Sequence, residues 1–376
     1  MLGFLPVFLV AAQGVLVRQE FSFDERQLGV AVSVFFATGA VLSAPGGRLS
    51  ERLGPRRGMM ATAAGTAALV LLIALLASSY VDLLVFMALA GAVNAVAQTS
   101  GDISVSRGVP ERVQGFAYGV KTSCLPLATL FAGVAIPVVG VNLGWRFSFV
   151  AAAGVALVVT ALIPRASSFA EPPEAPIAGG AMPSRPALLV LAVAGALSIG
   201  AVNTMGAFYA ESAGRLGLSP SAAGWWLAAG SLGAVASRIG FGAIGDRLTR
   251  PHLTVVLWLW LAGGIGMALL APAWSLVVFA LATAVTFTAG SGWTGLFLTA
   301  VVRSHSQAPA AATGIVMTGQ FAGSVLGPLA FGAAAQRGHY TGAWLATGGA
   351  LLLAAALLPP AERLLARARR IEAGAA

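Results

Sequence analysis

Twelve stretches of about 20 apolar residues follow one another along this 376-residue chain, each the length that crosses a hydrocarbon core. No constraint on folding is stronger, because in lipid every backbone N–H and C=O must find its partner within the segment, which selects helices. The stretches lie near 1–17, 27–47, 58–79, 83–106, 113–140, 146–163, 187–209, 222–244, 253–271, 274–301, 310–334 and 340–358. Only 9% of the residues are charged, against about 25% in a soluble domain. The expectation is an all-α membrane protein of twelve transmembrane helices.

The chain repeats itself. Gly47-Arg-Leu-Ser-Glu51-Arg52-Leu-Gly54-Pro-Arg56-Arg57 returns 195 residues later as Gly242-Ala-Ile-Gly-Asp246-Arg247-Leu-Thr249-Arg250, again between two apolar stretches. Gly29 matches Gly224 and Gly119 matches Gly314 at the same offset. Self-similarity at half the length implies duplication, here of a six-helix bundle. Between the halves, 164–186 holds six prolines, Glu171, Glu174 and a Gly-Gly pair without an apolar stripe, and reads as a linker. The expected organisation is a bundle over 1–163, the linker, and a second bundle with a basic tail over 187–376.

Charge placement sets an orientation. With the N-terminus inside, 15 of the 22 basic residues fall in cytoplasmic segments; Arg18, Arg26, Arg146, Arg215 and Arg337 fall outside. This is the positive-inside bias: both termini are expected in the cytoplasm of a multi-pass inner-membrane protein, and the net charge of +9 needs no nucleic acid to explain it. The single cysteine, Cys124, excludes an intramolecular disulfide, and three histidines in separate loops form no metal site. The apolar start lacks a basic n-region and reads as a short first span, not a signal peptide. Gly115 to Thr122 nearly fits a phosphate-binding loop, but Val120 replaces the required glycine and no strand precedes it. No cofactor is expected.

Gly47, Glu51, Arg52, Gly54, Arg56 and Arg57, echoed by Gly242, Asp246 and Arg247, resemble the loop signature of the major facilitator superfamily between its second and third and its eighth and ninth helices. The first copy has Glu for Asp and the second Thr249 for the last glycine. Gly144-Trp145-Arg146 is also similar to many members, and Gly119, Lys121, Pro126 and Leu127 resemble a pattern in members loosely similar to the cyanate-transporter-like group. The resemblance implies two bundles rocking about a mid-membrane site. Gly47, Glu51, Arg52, Arg56, Gly242, Asp246 and Arg247 then read as a gate whose carboxylate and arginines pair in one state and part in another. The plainer reading is that these arginines only enforce topology.

Polar residues inside the spans bear on the substrate. Lys121, the only lysine, sits in the fifth span; buried charge is costly and usually faces a cavity or a partner, though the side chain can also snorkel toward the cytoplasmic end. Lys121, Arg238, Gln98 and Trp293 each lie nine or ten residues from a loop arginine, about 13–15 Å deep. Lys121 and Arg238 belong to opposite bundles and together suggest an anion. Arg238 resembles a substrate-contacting arginine of the monocarboxylate and oxalate–formate branches; alternatively it pairs with Asp246 or Asp102 at the gate. Asn94, Gln98 and Asp102 share a helix face, as cavity lining or as interhelical hydrogen bonds. Tyr118 lies one turn from Lys121, Asn203 lies near mid-depth, and Asp102 is the tentative coupling residue.

The expected protein is thus a monomeric secondary transporter of a small solute, an organic anion, working in the lipid bilayer by alternating access. The alternative is an exporter of drug-like or amphipathic compounds, weakened because the glycine ladder that resembles that group's fifth-span motif stands on the eleventh span, at Gly319, Gly323, Gly327 and Gly332. A non-transporting receptor would need an output domain, and an enzyme a nucleophile–base or metal constellation. Neither is visible, so no enzymatic activity is expected.

Overall fold

The computed structural model describes residues 1–110, 113–163, 184–247, 252–271, 275–304 and 309–374. Within them the chain forms sixteen α-helices: α1 (Leu5–Ala12), α2 (Gly14–Phe21), α3 (Glu25–Val41), α4 (Ser43–Leu76), α5 (Tyr80–Gly108), α6 (Gln114–Thr122), α7 (Cys124–Ala135), α8 (Val141–Leu143), α9 (Trp145–Leu162), α10 (Arg185–Arg215), α11 (Pro220–Arg247), α12 (His252–Leu269), α13 (Leu276–Gly292), α14 (Thr294–Ser304), α15 (Pro309–Gln336) and α16 (Tyr340–Gly374). Ten segments are long and apolar enough to cross a membrane, and two bent pairs, α1 with α2 (68°) and α3 with the start of α4 (58°), bring the total to twelve.

Helix packing repeats between the halves. α4 packs on α5 and α9 as α12 packs on α13 and α16, and α3 packs on α5 as α11 packs on α13. Two seams join the halves: α3 against α15, and α6 with α7 against α11. The helix breaks have identifiable causes. Pro137 sits in a π-helical turn over Ile136–Gly140 that extends the fifth span to Leu143. Pro126, two residues into α7, lacks the N–H that would continue the ladder from Thr122.

Several expected boundaries move. The first span is not short: after its bend at Gln13 it runs to Phe21, because the charges that ended the apolar stretch are paired, Arg18 with Glu25 (3.1 Å) and Glu20 with Arg146 (2.6 Å). The first basic motif is not an open loop. Gly47, Glu51 and Arg52 lie in α4, and the chain turns only at Gly54, whose φ of +74° suits glycine. Asp246 and Arg247 likewise end α11. α10 begins at Arg185, with Pro186 in its first turn, so the linker stops sooner than expected; 164–183 lie outside the described residues. The last span runs on through Pro359 and Pro360 to Gly374.

Candidate functional site

The bundle has two unlike ends: a loop end, marked by Gly54 and Asp246, and a far end, marked by Arg18 and Glu211. At the far end the halves are locked. Arg18 bridges Glu25 (3.1 Å) and Glu211 (3.3 Å), and Arg215 bridges the same two carboxylates (3.3 and 3.4 Å). Two cations and two anions thus alternate across the division between α2–α3 and α10. Beside them Gln336 donates to Asp24 (2.5 Å), and the Arg215 guanidinium lies 4.0 Å from the Tyr340 ring centroid. Here α3 meets α15 backbone to backbone: a Cβ on Gly29 would stand 2.5 Å from the Pro328 carbonyl. One turn further along, Ser33 donates to the Val325 carbonyl (2.7 Å).

Toward the loop end the same two helices diverge around a cavity of about 320 Å³. Phe36, Gly39 and Ser43 line it from α3 and α4, Asn94, Gln98, Thr99 and Asp102 from α5, Tyr118 from α6, and Thr313, Met317 and Phe321 from α15. Four residues singled out in the sequence, Asn94, Gln98, Tyr118 and Asp102, therefore share one chamber between the halves. The helix face expected of Asn94, Gln98 and Asp102 is cavity lining.

Lys121 stands behind that wall, its Nζ 3.0 Å from Asp102 Oδ1. The Lys121 side chain is 19% exposed and that of Asp102 46%, so the carboxylate is the member the cavity sees. A helical side chain leans toward its N-terminus, which carries Lys121 toward the loop end, where α5 presents Asp102. Asp102 is five residues from Arg107 and Lys121 nine from Arg112, so the two Cα atoms differ in depth while the side chains meet.

Three expected site residues lie elsewhere. Arg238, 2% exposed, belongs to the α6–α11 seam: its Nε donates to the Ser291 carbonyl (2.9 Å), Nη2 to the Ser291 hydroxyl (2.9 Å) and Nη1 to the Thr122 carbonyl. It pairs with neither Asp246 nor Asp102 and does not line the cavity. Trp293 is fully buried, donates to the Gly290 carbonyl (2.9 Å) and packs edge-on against Trp260 and Phe297, which makes it core. Asn203 is buried on α10, one turn from Gly206, against which Phe8 is packed.

The two basic motifs differ in state. Asp246 crosses to the other half and accepts from the Gly115 and Phe116 backbone amides (2.8 Å each), capping the start of α6. Its partners are the donors of a helix N-terminus rather than arginines, the arrangement that suits a carboxylate. Gly242 lets the backbones meet there, since a Cβ would come 2.5 Å from the Gly115 carbonyl. In the first copy Glu51 and Arg52 are exposed, and among the described residues neither is in an ion pair. The far-end cluster was missed in the sequence because Arg18 and Arg215 read as topology charges; the i,i+4 spacing of Glu211 and Arg215 was its only local signal.

Twelve candidate spans in two matching halves, with a chamber between them, have the architecture of a membrane transporter. The sequence pattern of the Major Facilitator Superfamily matches residues 2–214, and the chain belongs to that family. Among solved structures it is similar to a bacterial homologue of the human lysosomal transporter Spinster, described as inward-facing and unoccupied. That likeness has 17% identity and a TM-score of 0.72, over 97% of this chain and 95% of that one. The occupied inward-facing form gives 17% and 0.71, over 96% and 94%. No curated protein matches the chain.

Proposed function

We propose that this protein carries a small amphipathic solute, neutral or singly cationic, by alternating access, with the loop end facing the cytoplasm. The observation that carries the reading is the contrast between the ends: four alternating charges and close helix contact at one, a chamber of about 320 Å³ at the other. Phe36, Met317 and Phe321 line the chamber together with Asn94, Gln98 and Tyr118. That mixture suits a ligand with an apolar body and few polar groups. Asp102 is the only charged side chain on the described wall, which favours a solute without negative charge. The inward-facing description of the two similar structures agrees with an open loop end.

A second reading keeps the organic anion. Lys121 lies 3.0 Å behind Asp102, so an anion that displaced the carboxylate, or arrived with a proton for it, would inherit the ammonium as partner. Gating falls to Asp246 with Gly242 in the contact seen, and to Glu51, Arg52, Arg56 and Arg247 when the loop end closes. Uptake into proteoliposomes of radiolabelled tetraphenylphosphonium against benzoate separates the readings. Uptake of the cation, abolished by Asp102→Asn, supports the first. Uptake of benzoate, abolished by Lys121→Gln, supports the second. Absence of flux with any member of a wider solute panel would remove the transport reading.

A further inference from the structure

Arg238 is a fully buried cation with no carboxylate in ion-pair range among the described residues. Desolvating a guanidinium costs several kcal/mol unless something else supplies negative charge. Here two helix ends supply it. Thr122 is the last residue of α6 and Ser291 the penultimate residue of α13, and each helix C-terminus carries roughly half a negative charge. The Thr122 carbonyl is free for a defined reason: its partner four residues on would be Pro126, which has no N–H. Gly119, three residues earlier, brings the backbones together, since a Cβ there would stand 2.6 Å from the Arg238 carbonyl. Both ends of the pattern that includes Gly119, Lys121 and Pro126 therefore serve one arginine of the opposite half.

We propose that Arg238 is the pivot of the two halves, a positioning residue seated on carbonyls freed at the mid-membrane breaks of the fifth and tenth spans. Contacts on either side of it on α11, Asp246 with Gly115 toward the loop end and Gly224 with Gly133 toward the far end, lie where a rocking motion displaces atoms most. Arg238 lies between them, where displacement is least. The pivot obliges one end to close as the other opens. This inference rests on the alternating-access reading.

The test uses two reporter cysteines in a Cys124→Ser background, Thr313→Cys in the chamber and Leu218→Cys at the far end. Glu211→Gln weakens the far-end lock; in the parent it should raise Leu218→Cys labelling and lower Thr313→Cys labelling. If it moves neither reporter, alternating access itself has failed, and the pivot with it. With Arg238→Met, Glu211→Gln should still raise labelling at the far end but leave Thr313→Cys unchanged. Pro126→Ala, which returns an N–H to the Thr122 carbonyl and leaves Arg238 in place, should do the same. Flux should fall about tenfold in each, the scale of one lost charge-assisted hydrogen bond. Reciprocal labelling retained in Pro126→Ala, or in a folded Arg238→Met, overturns the pivot. If Arg238→Met does not fold, Pro126→Ala decides alone.

Discussion

Lys121 and Asp102 show what a half-sheltered ion pair does in a membrane bundle. Removing one partner leaves the other charge uncompensated, whereas removing both leaves an apolar contact. Asp102→Leu should therefore destabilise the detergent-solubilised protein by about 1 kcal/mol, discounted because Asp102 is 46% exposed. Lys121→Met combined with Asp102→Leu should recover most of that loss in a thermal unfolding assay. A double variant less stable than Asp102→Leu alone would mean that Lys121 has stabilising contacts besides this carboxylate. The residues of the chamber were legible where they recur on one face of one helix, as Asn94, Gln98 and Asp102 do. The 195-residue offset also pairs Tyr118 with Thr313, and both line the cavity. It fails for Gln98 and Trp293, which share a depth but not an environment. Depth along a helix is readable from sequence; rotation about the helix axis is set by neighbours the sequence does not name.

At the scale of elements, the two joining seams are equivalents under the duplication yet stand in different states. α3 and α15 touch at the far end and part around the chamber, while α6, α7 and α11 stay together from Gly133–Gly224 to Gly115–Gly242. Opposing contacts hold the balance, so weakening either should tilt it in a foreseeable direction. Asp246→Ala removes two backbone hydrogen bonds at the α6 N-terminus, about 1 kcal/mol, and should raise labelling of Thr313→Cys about fivefold. Arg18→Gln leaves Arg215 as the one cation bridging Glu25 and Glu211, weakens the far-end lock, and should lower it by a similar factor. The same direction of change in both variants would exclude opposed gates. The existence and order of the twelve spans were plain in the sequence, because apolar runs about 20 residues long have one stable solution in lipid. Their ends were less so. Arg18 and Arg215, expected in outer loops, are helical, and each finds a partner across the bundle.

For the molecule as a whole, the loop-end chamber gains functional meaning only with an orientation. Arg48, Arg52, Arg56, Arg57 and Arg247 mark the loop end, toward which the chamber lies, and Arg363 and Arg367 stand in the last stretch of α16. Far-end arginines also exist: Arg18, Arg146 and Arg215 are each paired with a carboxylate, while Arg26 and Arg337 are in no ion pair among the described residues. The loop end carries more arginines than the far end, and an excess of basic loop charge favours the cytoplasmic side, the orientation proposed above. In a Cys124→Ser background, Glu174→Cys, between the halves, should react with an impermeant maleimide only after the cells are opened. Labelling of Thr313→Cys in inverted vesicles should exceed that in intact cells about tenfold, because the shut end then faces away from the reagent. A chamber ligand should protect Thr313→Cys in those vesicles. Ready labelling of Glu174→Cys in intact cells would invert the protein, place the chamber outside, and turn the four-charge lock into a cytoplasmic gate.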